Sequence, residues 1–216
     1  VSDVVDQVLI AAPDIPDASA HPYDLLTLEE AKIFLNITDT SKDAQIQMWI
    51  TGQSALIAEM CNRVFAYEKV REIWYCMASN SLYLTRWPVK AADIESVSEN
   101  GVPTDPSSYD LEERKGHLLK PTGWVVPIEI VYSGGYKLPD EAPADLKYAC
   151  ALLVQEARAQ SLIAQVSGVR MLSHKSARVM FYDPNRAISR QAGTLGGSPA
   201  QQAARSLLSN YTRYWV

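Results

Sequence analysis

The chain has 216 residues, 47% hydrophobic and 21% charged, an ordinary balance for a folded protein and enough length for one sizeable domain or a domain with an insertion. No run approaches the ~20 apolar residues that a membrane span needs. Three cysteines (Cys61, Cys76, Cys150) without a CxxC pair argue against a disulfide framework and a zinc knuckle.

The net charge of −5 conceals a split. Residues 166–216 carry seven Lys or Arg (Arg170, Lys175, Arg178, Arg186, Arg190, Arg205, Arg213) against one acid, Asp183. The preceding residues hold 13 basic and 24 acidic side chains, so a body of −11 carries a tail of +6. Such asymmetry suggests an interaction segment for nucleic acid or for an acidic protein surface such as a neighbouring copy. A solvated, locally neutralised tail is the plainer alternative.

Residues Val1–Asp24 contain five acids, three prolines and no Lys or Arg. They lack the basic start and apolar core of a signal peptide, so synthesis in the cytosol is expected. An arm of this composition has little to bury and is expected to order only against a partner. The first helix opens at Thr27 in "TLEE", a capping box with Glu30, and ends near Asn36. Asp39 to Ser41 then offers a fresh cap. The second helix covers about Lys42 to Asn62, with Ile46, Trp49, Ile50, Gln53, Leu56, Ile57, Met60 and Val64 at three- and four-residue steps. On this phase Leu56→Asp is expected to unfold the domain.

From Ala66 the period shifts toward β. "YEKVREIWYCM" is rich in β-branched and aromatic residues, and "LYL" reads as its hairpin partner. Pro88 ends that strand or marks an edge. "ADIESV" leads to "ENG", a hairpin turn with Gly101 at positive φ. Short strands follow at Tyr109–Leu111, His117–Leu119 and Ile128–Tyr132, all antiparallel by their short connections. Helix returns at Pro143, with Leu146, Cys150, Leu153, Val154 and Ala157 on one face. The two long helices flank the β section and are expected to pair, leaving it as an insertion. Cys150 is then a small buried hydrophobe. The tail carries a strand near Ala177–Tyr182, a Gly/Ser-rich joint "RQAGTLGGS", and a last helix announced by Ser198, Pro199 and Gln201. Its apolar face is Ala204, Leu207, Leu208, Tyr211, Tyr214 and Trp215. Behind a flexible joint, this helix need not pack on its own body.

No catalytic set emerges. His21, His117 and His174 form no metal-ligand spacing, and neither GxSxG, GxGxxG nor a P-loop occurs. "TGQSA" lies inside a helix. Glu29–Glu30 belongs to a helix start, and Glu112–Glu113 to a charged turn. A hydrolase would need one of the histidines beside a nucleophile in a pocket. Trp74, Tyr75, Tyr83, Trp87 and Trp124 could stack bases. The basic residues near them (Lys69, Arg71, Arg86, Lys90) are matched by Glu68, Glu72, Asp93 and Glu95, which favours a balanced sheet with aromatic cross-strand pairs. No catalytic, cofactor or metal residue is assigned.

The order of segments nevertheless has a counterpart. "LLTLEEAKIFLNI", "DAQIQMWITGQSALIAEMCNRVF", "LYLTRWPV", the pair Tyr109 and Leu111, "IEIVYSGGY" and "APADLKYACALLVQE" together resemble tailed-bacteriophage head–tail connector (adaptor) proteins, over roughly Leu25–Gln165. The resemblance implies an α+β fold: a helical bundle of two long and two shorter helices, an inserted small antiparallel β unit, and extended N- and C-terminal arms. In this chain that divides into an arm 1–24, a helical core 25–65 and 139–165, a β insertion 66–138, and a basic arm with terminal helix 166–216.

The resemblance also implies a structural, non-enzymatic role without cofactor or membrane. The expected assembly is a ring of twelve copies, made in the host cytoplasm and placed at the virion neck. There it would sit between the portal and a stopper or tail-completion protein, with double-stranded DNA passing through without sequence-specific binding. The expected portal or inter-subunit contact residues are Arg178, Arg186, Arg190, Arg205, Leu207, Leu208, Tyr211, Arg213, Tyr214 and Trp215. The alternative is a DNA-binding packaging or completion factor that uses the basic tail.

Overall fold

A computed structural model describes residues 3–13, 21–76, 80–165, 171–174, 177–180 and 198–213. Among them the fold is α+β, with four helices and ten strands: α1 Leu28–Leu35, α2 Asp43–Met60, α3 Ala144–Gln165 and α4 Pro199–Leu208. The strands are β1 Asp3–Ala11, β2 Glu68–Cys76, β3 Ser81–Tyr83, β4 Ile94–Glu99, β5 Val102–Pro103, β6 Asp110–Glu112, β7 His117–Leu119, β8 Ile128–Gly134, β9 Met171–His174 and β10 Ala177–Met180.

Local chemistry sets α1. Thr27 Oγ1 accepts from the Glu30 amide at 3.1 Å, and Glu30 accepts in return from the Thr27 amide at 3.0 Å. Asn36, left-handed at φ 52°, closes the helix. The cap expected from Asp39–Ser41 is not formed on α2, whose N-cap is Lys42 without a side-chain bond. Asp39 instead accepts from the Ser41 amide at 3.0 Å, closing a turn before the helix begins.

Along α2 the buried line is Ile46, Ile50, Ser54 and Ile57. Leu56 is 37% exposed and Ile57 fully buried, so the expectation for Leu56→Asp is corrected. The two residues are neighbours about 100° apart on the helix, and Ser54 fixes which one faces inward. Its hydroxyl accepts from the Leu25 amide at 3.0 Å and lies 3.7 Å from Cys150 Sγ. Leu146, Cys150, Leu153 and Val154 of α3 close this core against α2, together with Leu25, Leu26, Leu35 and Phe65. Burial pushes the Cys150 thiol up to about 12 and that of Cys61 up to about 11.

The β section holds a second core. One sheet has the order β1-β2-β8-β4-β5, another β3-β7-β6, and every ladder is antiparallel. β2 and β8 alternate between buried and more exposed positions, with Val70 opposite Tyr132 and Trp74 opposite Ile128. Leu82 and Leu118 of the smaller sheet join Val70, Trp74, Ile130 and Tyr132 in one cluster. β3 therefore pairs with β7 and not with β2, as its hairpin reading required. Both edges of β2 are already occupied, by β1 and β8. Asn100 and Gly101, at φ 50° and 79°, make the β4–β5 hairpin turn.

The chain enters and leaves the β section side by side. Ala66 and Tyr136 form a parallel bridge, with the Tyr136 amide donating to Phe65 and the Tyr67 amide to Tyr136, both at 2.8 Å. Gly135, at φ 113°, permits this approach, because a Cβ there would overlap the Ala66 carbonyl.

Both arms differ from expectation. Within Val1–Asp24, β1 pairs with β2 of its own sheet, and Asp24 is buried, accepting from Gln47 at 2.5 Å and Thr51 at 3.1 Å. The apolar run Val8, Leu9 and Ile10, two of them β-branched, supports a strand held by backbone bonds, which needs no large core of its own. The terminal helix α4 packs on α3, with Ala204 and Leu208 buried one turn apart. A ten-residue helix is marginal alone, and this docking offsets its cost. Its cap forms as the sequence indicates, Ser198 Oγ accepting from the Gln201 amide at 3.2 Å. The single strand expected at Ala177–Tyr182 is half of a β9–β10 hairpin, and Phe181 and Tyr182 lie outside the described residues.

Candidate assembly surfaces

The polar side chains inside the β section hold elements together. Glu72 occupies an inward position of β2 and is fully buried. One of its carboxylate oxygens accepts from Tyr132 Oη at 2.6 Å, from the Thr85 amide at 3.3 Å, from the Thr85 hydroxyl, and from Gln7 Nε2 at 3.1 Å. Burial pushes the Glu72 carboxyl up and the Tyr132 phenol well up, and the hydrogen bonds to Glu72 only partly offset its shift. Gln7 lies directly opposite Glu72 in the β1–β2 register, so this cluster pins β1. Beside it Glu68 accepts from Arg86 Nε at 2.7 Å and from Tyr23 Oη at 2.8 Å.

The balanced sheet is realised through particular pairs: Glu68 with Arg86, Lys69 with Glu95 at 2.6 Å, and Arg71 with Glu129 at 2.7 Å. Hydroxyl and amide donors serve Glu72 in place of a cation. Tyr75 is 50% exposed, and the other named aromatics are engaged internally. Tyr83 stacks on His117 across β3–β7 at 4.4 Å, Trp87 lies under the Arg63 guanidinium at 3.6 Å, and Trp124 tilts against Tyr109 at 5.8 Å. These contacts take ring faces that a base-stacking platform would have to present. Burial lowers the Arg63 pKa to about 10, and two aromatic rings, Trp87 and Phe65, face its charge.

His117 is half-buried between Tyr83 and Glu112, whose carboxylate lies 3.8 Å from Nδ1. His21 is exposed, and His174 stands on β9, where side chains are not described. Neither His21 nor His117 lines a described pocket beside a nucleophile. Among the described residues no group of three or more His, Cys, Asp or Glu is placed to hold a metal ion. No described helix is long and apolar enough to cross a membrane.

The sequence-derived contact residues divide into four groups. Leu208 is buried in its own helical core, and Leu207 and Tyr211 pack partly against it, Tyr211 edge-on to Phe65 at 6.2 Å. Arg205 is exposed. Arg213 is half-buried, with its amide donating to the Cys61 carbonyl at 2.8 Å. The side chains of Arg178, Arg186, Arg190, Tyr214 and Trp215 lie outside the described ones. The α4 face thus looks inward, and only Arg205 of that helix's proposed set faces out.

Two surfaces escaped the sequence reading. β1 ends the five-stranded sheet, with Val8, Leu9 and Ile10 each 44–48% exposed. On the helical side Ile33 is 80% exposed beside Phe34, which meets Tyr148 of α3 edge-on at 6.0 Å. The β-branched run in "DVVDQVLIA" was the available signal for the first. For the second, Ile33 and Phe34 fall off the buried Ala31–Leu35 face of α1.

Comparison with known proteins places this architecture. The chain spans nearly the whole of a chain from the neck of an empty GTA particle computed with C6 symmetry: 98% of this chain and 97% of that one, at 14% identity and a TM-score of 0.56. A chain from the virion of a native gene transfer agent (GTA) particle matches over 97% and 96%, at 14% identity and a TM-score of 0.54. These likenesses are of fold. No curated protein matches the chain. The model of one family, described as "Head completion protein", matches residues 24–159, which take in α1, α2, β2 to β8 and most of α3. The chain accordingly belongs to the head completion protein family.

Proposed function

We propose that this chain is a structural subunit of a phage neck. In this reading it forms an adaptor ring between the portal and the next connector or tail component, a stopper or tail-completion protein. The observation that carries it is the family match combined with a fold likeness running end to end through a GTA neck chain. The C6 symmetry of that neck fits a ring whose copy number is a multiple of six, and we assign twelve. The ring surrounds a DNA path. An acidic body of −11 lines such a path without holding the duplex, since like charge repels the phosphates.

The helical core (25–65 and 139–165) and the β insertion (66–138) act as two bodies joined at Ala66 and Tyr136, with arms 1–24 and 166–216 engaging neighbours. Portal or inter-subunit contact falls to the outward Arg205 together with Arg178, Arg186, Arg190, Arg213, Tyr214 and Trp215, while Leu207, Leu208 and Tyr211 hold α4 in place. The role is non-enzymatic and needs no cofactor, and the protein is made in the host cytoplasm and incorporated into the virion.

Imaging of the purified protein with its portal tests the reading. Rings seated on the portal are expected, and portals left bare at saturating protein refute it. Arg205→Glu is the appropriate contact variant, because removing α4 would uncover the helical core. The basic tail favours one other reading, a DNA-binding completion factor. That reading requires duplex binding that weakens steeply with salt, and a tail without affinity at low salt eliminates it.

A further inference from the structure

We propose that neighbouring copies are joined by strand exchange without swapping of cores: the β9–β10 hairpin of one copy adds to the open edge of β1 in the next. The inference rests on the ring reading and names the contact that closes the ring.

Three observations converge on it. First, β1 is a terminal strand, paired only with β2 among the described residues, so one row of its backbone donors and acceptors faces outward. Edge strands are usually blunted by lysine, proline or a covering element. Asp3–Ala11 contains no Lys, Arg or Pro, and Val8, Leu9 and Ile10 are half exposed. Register shifts interrupt its ladder near Asp3–Asp6 and Leu9–Ala11, and the regular stretch between them, Asp6–Leu9, is the part of the edge open to pairing.

Second, β9 and β10 form a separate two-stranded sheet, with His174 opposite Ala177 and Met171 opposite Met180. Among the described residues neither strand has extended packing against another element. A lone hairpin of four-residue strands is marginal in water, and a third strand is the ordinary remedy. Third, the charges are complementary. β1 carries Asp3 and Asp6 and no Lys or Arg, while residues 166–182 hold Arg170, Lys175 and Arg178 and no acid.

Strand addition supplies the affinity through main-chain bonds, and the charges select partner and direction. Donor and acceptor are different surfaces, so the contact is heterologous. Repeated head to tail it propagates around a ring, as an isologous contact would not.

The test uses two full-length-background variants. One carries Val8→Lys and Ile10→Lys, which blunt the β1 edge while leaving β1 on β2, and keeps the hairpin. The other carries Leu172→Pro and Val179→Pro, which remove ladder donors from the hairpin and leave β1 intact. Native mass spectrometry and light scattering read the assemblies, and circular dichroism confirms that each variant is folded. The intact chain is expected to self-associate by about 1 mM, where a contact of millimolar Kd is half formed. Each variant alone is expected to be monomeric. Their mixture is expected to give 1:1 heterodimers and nothing larger, because only one complete contact can form. Self-association of the proline variant to the intact level overturns the exchange and leaves the ring reading standing. An intact chain that stays monomeric at that concentration, or a mixture that stays monomeric, also overturns it. The ring itself is judged separately, on the portal.

Discussion

Leu208→Ala examines the most consequential departure from the sequence, the docking of α4 on its own body. Leu208 is 2% exposed, and only Ala204 shares its full burial on that helix. Truncation removes three carbons, about 2.4 kcal/mol at ~0.8 kcal/mol each. The cavity left behind brings the usual range for Leu→Ala to about 2–5 kcal/mol. A ten-residue helix has few other attachments: Leu207 and Tyr211 are only partly buried, and the Arg213 amide supplies one backbone bond to Cys61. The loss should therefore appear as local release of α4 before global unfolding. Hydrogen exchange at the amides of residues 201–211 reads it directly. At tenfold per 1.4 kcal/mol, protection should fall by roughly 30- to 4,000-fold, with α2 amides far less affected. Leu207→Ala should cost less, and Arg205→Ala almost nothing. The reasoning is refuted if these amides are already unprotected in the intact chain, or if Leu208→Ala leaves their exchange unchanged.

Three further outcomes are expected. Ile57→Ala should lower stability by about 2–5 kcal/mol, and Leu56→Ala by no more than about 1 kcal/mol, measured as urea midpoints at constant m-value. Glu72→Gln should make the protein more stable at pH 7. A carboxyl raised by burial binds its proton more tightly when folded, so wild-type stability falls as pH rises above the ordinary value of 4.5, whereas the amide is indifferent. Urea midpoints of the two proteins should converge below that pH, and an advantage that persists at pH 4 would contradict the assignment. Thr27→Ala breaks the capping box and should cost about 1 kcal/mol, lowering Tm by about 2–4 °C in a chain of this size.

Much of the chain was legible because its signals are local. Thr27, Glu30 and Asn36 bound α1 through contacts within a turn. Ser198 and Pro199 start α4, and Asn100–Gly101 folds a hairpin, each for reasons contained in a few consecutive residues. Period-two burial in β2 and β8, and the apolar stripe of α3, also follow from side-chain geometry along one element. The same periodicity carried information that charge balance obscured. Glu72 stands in register with Val70 and Trp74, so its inward position could be read from spacing, although its donors Gln7, Thr85 and Tyr132 come from three other segments.

What the sequence settled unaided, then, was where helices and most strands lie, the uneven distribution of charge, and the order of segments that marks the family. Partner choice was left to the tertiary structure: β3 with β7, β1 with β2, α4 with α3, and Ile57 but not Leu56 turned fully inward. The physical reason is competition. Each strand has two edges and each helix one buried line, and which neighbour occupies them depends on all the others at once. Local preferences draw up the candidates, and the shared cores choose among them.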